Sequence, residues 1–302
     1  MLDVALVGTG GMTPLPDRWL ASVLLRWAGR LILFDCGEGT QISLRRLGWG
    51  IKAVDPILIS HLHGDHVLGL AGLLLSQANA ERREPVHIFG PPGLQRWLEA
   101  MRVHVPYLPF AIGIHELRDG ATYDLADGVT LTAAEASHSA PCIAYRLDTT
   151  RAREFLPNQA RALGIPVQQW SQLQRGHSVQ LQDRTISPDE VLGPDRPGLS
   201  VCLIGDTRPS RRLAELARGV DLLVCEGTYG ADTDLDRAIE RKHMTFREAA
   251  TLARDAQAKQ LLLTHFSAGM ADPAAYAPNA AEVFPNTIVG KDHLSLSLNY
   301  AD

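Results

Sequence analysis

The segment Ser60-His61-Leu62-His63-Gly64-Asp65-His66 places three imidazoles and a carboxylate within residues 61–66. His61 and His63 alternate with a leucine, so on an extended or tight-turn backbone both rings point the same way. Gly64 lets the chain bend, which allows Asp65 and His66 to face a neighbouring point. One loop can therefore contribute to two metal ions a few ångströms apart, and imidazole with carboxylate is a ligand set suited to zinc. A polar, solvated loop is the plainer reading of any His-x-His. It loses weight here because the cluster stands between an apolar strand and an apolar helix-period run.

Two metals need more ligands than one loop supplies, and the further candidates should also sit at strand ends. His138 follows the strand Val129–Ala134, Asp206 follows Val201–Ile204, and His265 follows Leu261–Thr264. Singly, each reads as a surface turn residue or a satisfied core side chain. Together, at equivalent strand termini, they complete two coordination shells. His87, His104, His115, His177 and His293 lack that placement and read as ordinary surface or core residues, although His293 immediately precedes a strand.

The elements that must hold these residues follow from periodicity and turn chemistry. Leu2–Val7, Ser22–Trp27 and Leu31–Asp35 read as strands, with Gly8-Thr9-Gly10-Gly11 as a loop and Ala28-Gly29-Arg30 as a hairpin turn. Thr40–Leu47 is expected to be a helix ended by Gly48. Asp55–Ser60 is a strand running into the histidines, and Val67–Ala80 a helix leaving them. Val86–Phe89 and Leu94–Val103 repeat the strand–helix pattern, and closely spaced strands follow over Ile112–Leu147. The rhythm returns with Leu199–Ile204, Arg212–Arg218, Asp221–Cys225, Phe246–Ala256, Gln260–Thr264 and Leu294–Leu298. Each half is thus a run of strands and helices, which points to an α/β architecture of two β/α halves stacked sheet to sheet with helices outside. The polar stretch from Asp148 to about Gly176 interrupts this rhythm and reads as an arm inserted into one domain spanning 1–302.

The bulk numbers exclude some classes. With 45% hydrophobic and 21% charged residues over 302 positions, the chain can bury a large core without disulfide staples. Cys36, Cys142, Cys202 and Cys225 show no C-x-x-C spacing, which fits reduced thiols and a cytoplasmic location. The N-terminus reads as a first strand and not as a signal peptide. No apolar run reaches the roughly 18 residues of a membrane span, so no membrane partner is expected. The net charge of −5 means that any nucleic-acid contact must use a local basic patch.

Taken together, these segments resemble the metallo-β-lactamase superfamily and, within it, short-form ribonuclease Z, the tRNA 3′-processing endonuclease. The resemblance runs nearly end to end. It rests on Gly8-Thr9-Gly10, Asp35-Cys36-Gly37-Glu38-Gly39-Thr40-Gln41, the His61–His66 motif with Gly69, and His138. It continues through Gly205-Asp206-Thr207-Arg208-Pro209, Glu226-Gly227-Thr228, His243-Met244-Thr245 and His265-Phe266-Ser267. The histidine motif marks the whole superfamily, whereas Asp-Cys-Gly-Glu-Gly-Thr-Gln and Gly-Asp-Thr-Arg-Pro are specific to the ribonuclease Z branch.

The resemblance implies an αββα sandwich of two stacked mixed sheets flanked by helices. It implies two zinc ions per subunit, with manganese an alternative: His61, His63 and His138 on one, Asp65, His66 and His265 on the other, and Asp206 bridging. Asp35 would be the carboxylate holding the ligand loop from behind. Asp65 would accept a proton from the attacking water, and His243 would protonate the leaving 3′-oxygen with Glu226 orienting its ring. The implied substrate is RNA, a tRNA precursor with a 3′ trailer, and the implied assembly is a homodimer whose arms grasp RNA. Within the expected arm at about 148–177, Arg151, Arg153, Arg161 and Arg175 are the candidate RNA contacts.

Three positions depart from the family pattern. The arm reads Leu163-Gly164-Ile165-Pro166-Val167 where the family carries a Gly-Pro pair, and Cys225 stands where it has a histidine. Ala268-Gly269-Met270 occupies the place of an expected Arg-Tyr pair. The competing reading is a small-molecule or cyclic-nucleotide phosphodiesterase on the same scaffold. A non-catalytic RNA-binding relative would be expected to lack ligands or the acid, and here every one of those positions is filled.

Overall fold

A computed structural model describes residues 1–182 and 184–300. The first half contains β1 (Leu2–Gly8), β2 (Ser22–Trp27), β3 (Arg30–Phe34), β4 (Val54–Leu58), β5 (Val86–Gly90) and β6 (Ile112–Glu116). Then come β7 (Thr122–Leu125), β8 (Val129–Ala136) and β9 (Cys142–Thr149), followed by a small hairpin of β10 (Val179–Leu181) and β11 (Arg184–Ile186). The chain ends with β12 (Ser200–Ile204), β13 (Leu222–Glu226), β14 (Leu261–Thr264), β15 (Thr287–Val289) and β16 (Ser295–Leu298). Among the described residues the main strands form two seven-stranded sheets, ordered β16-β1-β2-β3-β4-β5-β6 and β15-β14-β13-β12-β9-β8-β7. Each is mixed. β3 to β6 and β12 to β15 run parallel, and the remaining pairs are antiparallel.

Alternation along the strands explains the layers. Ile32 and Phe34 in β3, Val201 and Leu203 in β12, and Leu222 and Val224 in β13 face inward and form the core between the sheets. Their neighbours Leu31 and Leu33 face outward, against Leu44, Leu70, Leu73, Leu74 and Leu98 of the first half's helices. On the other side Cys202, Ile204, Leu223 and Cys225 pack against Leu213, Phe246, Ala249, Ala250 and Ala253. The result is helix, sheet, sheet, helix. A cross-sheet stitch fixes the end of β4: Tyr145 Oη donates to Ile59 O (2.7 Å) and Ile143 N donates to Ser60 O (2.9 Å).

Two expectations are corrected. The helix expected over Val67–Ala80 is two helices, Gly64–Val67 and Leu70–Asn79. The break falls where Gly69 N donates to Cys36 O (2.9 Å), so close that a Cβ on Gly69 would lie 2.0 Å from Gly37 O. The short first helix is what carries Asp65 and His66. The excursion expected at about 148–177 is also redrawn, because β9 continues to Thr149 and the segment returns to the sheet only at β12. It holds the helices Pro157–Ala162 and Val167–Gln174, and its own small core joins Ala160, Ile165 and Leu173 to Val179, Ile186 and Val191. That hydrophobic closure lies beyond Gly176, past the polar composition that marks the segment in the sequence.

Candidate metal centre and catalytic cleft

The candidate ligands gather beyond the C-terminal ends of strands of both sheets, with Asp65 and His66 on the short helix Gly64–Val67. β4 leads to His61, β8 to His138, β12 to Asp206 and β14 to His265, while β3 leads to Asp35. Asp35 (φ 56°) and His265 (φ 58°) take the left-handed conformation, which non-glycine residues adopt at a cost, and this turns their side chains back into the site. His265 is further confined by Gly11, where a Cβ would lie 2.5 Å from the imidazole Cε1.

The hydrogen-bond partners assign the imidazole tautomers. His66 Nδ1 donates to Asp35 Oδ2 (2.8 Å). Ser60 Oγ gives its proton to the same Asp35 oxygen (2.8 Å) and so accepts from His61 Nδ1 (3.0 Å). His138 Nδ1 donates to Lys242 O (3.1 Å), and His265 Nδ1 to Thr228 Oγ1 (3.0 Å), whose own proton goes to Glu226. His61, His138 and His265 therefore direct an unprotonated Nε2 inward, while His66, which against burial Asp206 and Asp35 hold toward the charged form, would give up its Nε2 proton to a metal. His63 presents Nδ1 instead, 3.0 Å from His61 Nε2 and 3.3 Å from His138 Nε2.

These atoms fall into two groups that share Asp206. Its Oδ2 faces His61 Nε2 (3.7 Å) and His138 Nε2 (3.8 Å). Its Oδ1 faces His66 Nε2 (3.5 Å) and His265 Nε2 (3.1 Å), and Asp65 Oδ2 stands 3.5 Å from the same two nitrogens. Within each group, His61–His63–His138–Asp206 and Asp65–His66–Asp206–His265, all donor atoms lie within 4.8 Å of one another. Buried His66 Nε2, His265 Nε2 and Asp206 Oδ1 have no hydrogen-bond partner among the described residues. Buried polar atoms without partners are costly unless a ligand satisfies them, and nitrogen and carboxylate donors converging in this way suit divalent metal.

Electrostatics agree with that use. Burial, with His66 beside it, pushes the His61 imidazole down to about 2, so the ring stays neutral and able to ligate. Burial opposes ionisation of Asp206, but His265 and His66 outweigh it and hold the carboxyl well below its ordinary range. Asp65 is likewise held below its ordinary range, burial being outweighed by the His265 and His66 imidazoles 3.5 Å away.

Beside the donors lies an acid–base pair. By the alternation of β13, Glu226 shares the inward face with Leu222 and Val224. It accepts from Thr207 N (2.8 Å), Thr228 Oγ1 (2.6 Å) and His243 Nδ1 (3.1 Å). Burial lowers the His243 pKa, but the charge and hydrogen bond of Glu226 dominate and hold the imidazolium up to about 9. Cys225, the departure beside it, points the other way and is fully buried in the helix-side core, so it leaves this pair untouched.

The centre opens into a cleft of about 430 Å³ lined by His63, Asp65, His138 and His243, with Tyr229, Arg237 and Arg241 on its wall. All the expected ligands come together here, with Asp35, Glu226 and His243. The four arm arginines are not in the cleft lining. Arg153 is engaged inside the arm, bonding Gly193 O (2.6 Å) and Leu192 O and pairing with Asp189. Arg151 lies over the Tyr300 ring, and Arg161 and Arg175 are exposed. Nothing in the residue pattern singles out Arg237 or Arg241 except their spacing of four just ahead of His243. The Ser267–Met270 loop, which lacks an arginine of its own, is held by Arg18, which donates to Ser267 O (3.3 Å) and Met270 O (2.8 Å).

Two stacked mixed sheets between helices, with paired His/Asp donors at their shared edge, define a metal-dependent hydrolase of the metallo-β-lactamase fold. Residues 191–266 match the family described as "Beta-lactamase superfamily domain", and residues 2–140 match "Anti-Pycsar protein Apyc1". The chain is 42% identical over 300 residues to a ribonuclease Z of Lachnoclostridium phytofermentans, covering 99% of each, and 43% identical over 303 residues to one of Clostridium kluyveri, covering 100% of each. It belongs to the ribonuclease Z family. Among solved structures, the short form of human tRNase Z matches with a TM-score of 0.71 at 26% identity, over 98% of this chain and 99% of that one.

Proposed function

We propose that the protein is an endoribonuclease that removes 3′ trailers from tRNA precursors. The observation that carries this reading is the Glu226–His243 pair beside the donor set, since a ribose 3′-oxygen is a poor leaving group that needs a proton. Two zinc ions, or manganese in their place, would be held by His61, His63 and His138 and by Asp65, His66 and His265, with Asp206 between them. When bound they lower the pKa of water and neutralise charge building on phosphorus. Asp65 orients the attacking water and takes its proton. Met12 N donates to Asp65 Oδ2 (2.7 Å) and steadies that carboxylate. Glu226 fixes His243 with Nδ1 bonded, which leaves Nε2 to deliver the proton to the departing 3′-oxygen.

Full-length likeness to proteins named ribonuclease Z supports RNA over the small-molecule or cyclic-nucleotide diesters that the same scaffold could cleave. Arg161 and Arg175 are the arm residues we assign to RNA. Exposed Leu68 lines an apolar groove with Ala71, Trp97 and Met101, and exposed Val103 adjoins its lining residue His104, which supports a homodimer. No helix among the described residues is long and apolar enough to cross a membrane, and the four cysteines are free and buried, which supports a reducing, cytoplasmic setting.

Incubating the zinc-loaded protein with a 3′-extended tRNA precursor and, separately, bis-p-nitrophenyl phosphate tests the proposal. Cleavage beside the discriminator base with a 3′-hydroxyl product is expected. Turnover of the small diester alone would move the protein to the small-molecule phosphodiesterases.

A further inference from the structure

We infer that Arg237 and Arg241 form a two-guanidinium clamp for the phosphodiester backbone flanking the scissile bond; this rests on the RNA reading above. Both come from the helix Leu235–Arg241 and, four residues apart, lie on one face of it. Both line the cleft that holds His63, Asp65 and His243. Several arginines around the fold are committed to carboxylates: Arg208 to Glu248, Arg146 to Asp148, Arg247 to Asp232 and Glu282. Among the described residues Arg237 and Arg241 have no carboxylate within ion-pair distance, and both are exposed. A guanidinium left without a carboxylate beside a metal-donor cluster is available to an anion, and its planar fork suits phosphate.

The clamp is also held in position. Arg237 lies over the Tyr229 ring (5.3 Å), and Tyr229 packs edge-on against His243 (6.2 Å). Lys242, next to Arg241, is tied to the candidate ligand His138 both ways: Lys242 Nζ donates to His138 O (3.0 Å) and His138 Nδ1 donates to Lys242 O (3.1 Å). The helix that presents the arginines is thus tied to the candidate acid, whose backbone N donates to Ala238 O (2.9 Å), and through Lys242 to a candidate metal donor. Arg237 further borders a second hollow of about 160 Å³, lined also by Thr228, Asp234, Met270 and the exposed Tyr276. One guanidinium therefore stands where the cleft meets a side pocket with an aromatic wall. The next nucleotide along the strand fits that arrangement, its phosphate on Arg237 and its base toward Tyr276. In a chain of net charge −5, phosphate attraction has to come from such local pairs.

The test uses the metal-loaded full chain with Arg237→Met, Arg241→Met and the double variant. A 3′-extended tRNA acceptor minihelix is followed by cleavage and by fluorescence anisotropy across a salt series, with bis-p-nitrophenyl phosphate turned over in parallel. The expected result is a KM for RNA raised about tenfold per arginine with kcat little changed, and a salt slope of binding reduced by roughly 0.7–0.9 per arginine. The small diester carries no flanking phosphate, so its turnover should fall far less than cleavage of the RNA, and Arg→Lys should restore the salt slope but only part of the affinity. Unchanged RNA binding and salt slope in the double variant would overturn the clamp. So would equal losses on RNA and on the small diester, which would mean that the arginines act on the metal centre, and so would a lower kcat on RNA with KM and binding unchanged, which would mean that they only support His243. If the wild type bound the minihelix without cutting it, the endonuclease reading would fail separately, and the binding arm would still decide the clamp.

Discussion

Arg208 donates to the main-chain carbonyl of His243, so the residue that follows Asp206-Thr207 also anchors the candidate acid. The same guanidinium grips Glu248 (3.0 Å to Oε2), whose carboxylate closes the capping box on Thr245 at the start of the helix Phe246–Asp255. Thr207 N in turn bonds Glu226. The Gly-Asp-Thr-Arg-Pro segment therefore supplies the carboxylate shared by both donor groups, a donor to Glu226, and the tether of the candidate acid.

Arg208→Met should lower kcat on a 3′-extended tRNA by about tenfold, because His243 loses its tether while Thr245 still caps the helix. Turnover of bis-p-nitrophenyl phosphate, whose leaving group needs no proton, should change little, and bound metal should be unaltered. Steady-state kinetics on the two substrates with metal analysis check this. Equal losses on both would mean that Arg208 acts on the metal centre instead.

Asp35→Ala removes a carboxylate that satisfies Ser60 N (2.7 Å), Ser60 Oγ and His66 Nδ1 at once. Metal affinity should fall about 10- to 100-fold, as on loss of an outer partner of a ligand. Stability should fall by about 2–4 kcal/mol, since buried donors lose their acceptor. Metal titration and thermal unfolding of the metal-free protein separate the two effects.

Gly11→Ala drives a methyl into His265, and the ring has no room to withdraw because Thr228 holds its Nδ1. Binding of the metal expected on Asp65, His66 and His265 should weaken by at least about tenfold, whereas the one expected on His61, His63 and His138 is retained. Stoichiometric titration should resolve the two. Two equally tight sites would show that His265 is not confined as described.

The chemistry was legible in the sequence where residue type and spacing coincide. His61 to His66 form one loop, and His138, Asp206 and His265 follow apolar strands whose direction puts them on the same edge. Motif resemblance marked Asp35, Glu226 and His243, which pattern alone leaves ordinary. What stayed hidden depends on contacts between distant segments. The break at Gly69 comes from its approach to Cys36 and Gly37, and helical periodicity runs straight through it. The helix Leu235–Arg241 buries only Ala238 and has no apolar stripe to reveal it, so Arg237 and Arg241 passed without notice. The arm closes through Val179, Ile186 and Val191, a core of its own that local composition does not report.

Removing the metals with a chelator should abolish hydrolysis of both substrates and lower the melting temperature, because His66, His265 and Asp206 are left with buried atoms unsatisfied. Added zinc should restore both. Activity that survived complete metal removal would contradict the reading of the donor set.

The most direct test of the account is His243→Ala on two substrates that differ in leaving group. The metal-loaded variant should retain its metal and turn over bis-p-nitrophenyl phosphate at close to the wild-type rate, while cleavage of a 3′-extended tRNA precursor falls by about 10²- to 10⁴-fold. If the variant cut the precursor as fast as wild type, His243 would not be the acid, and the role of the Glu226–His243 pair would be wrong.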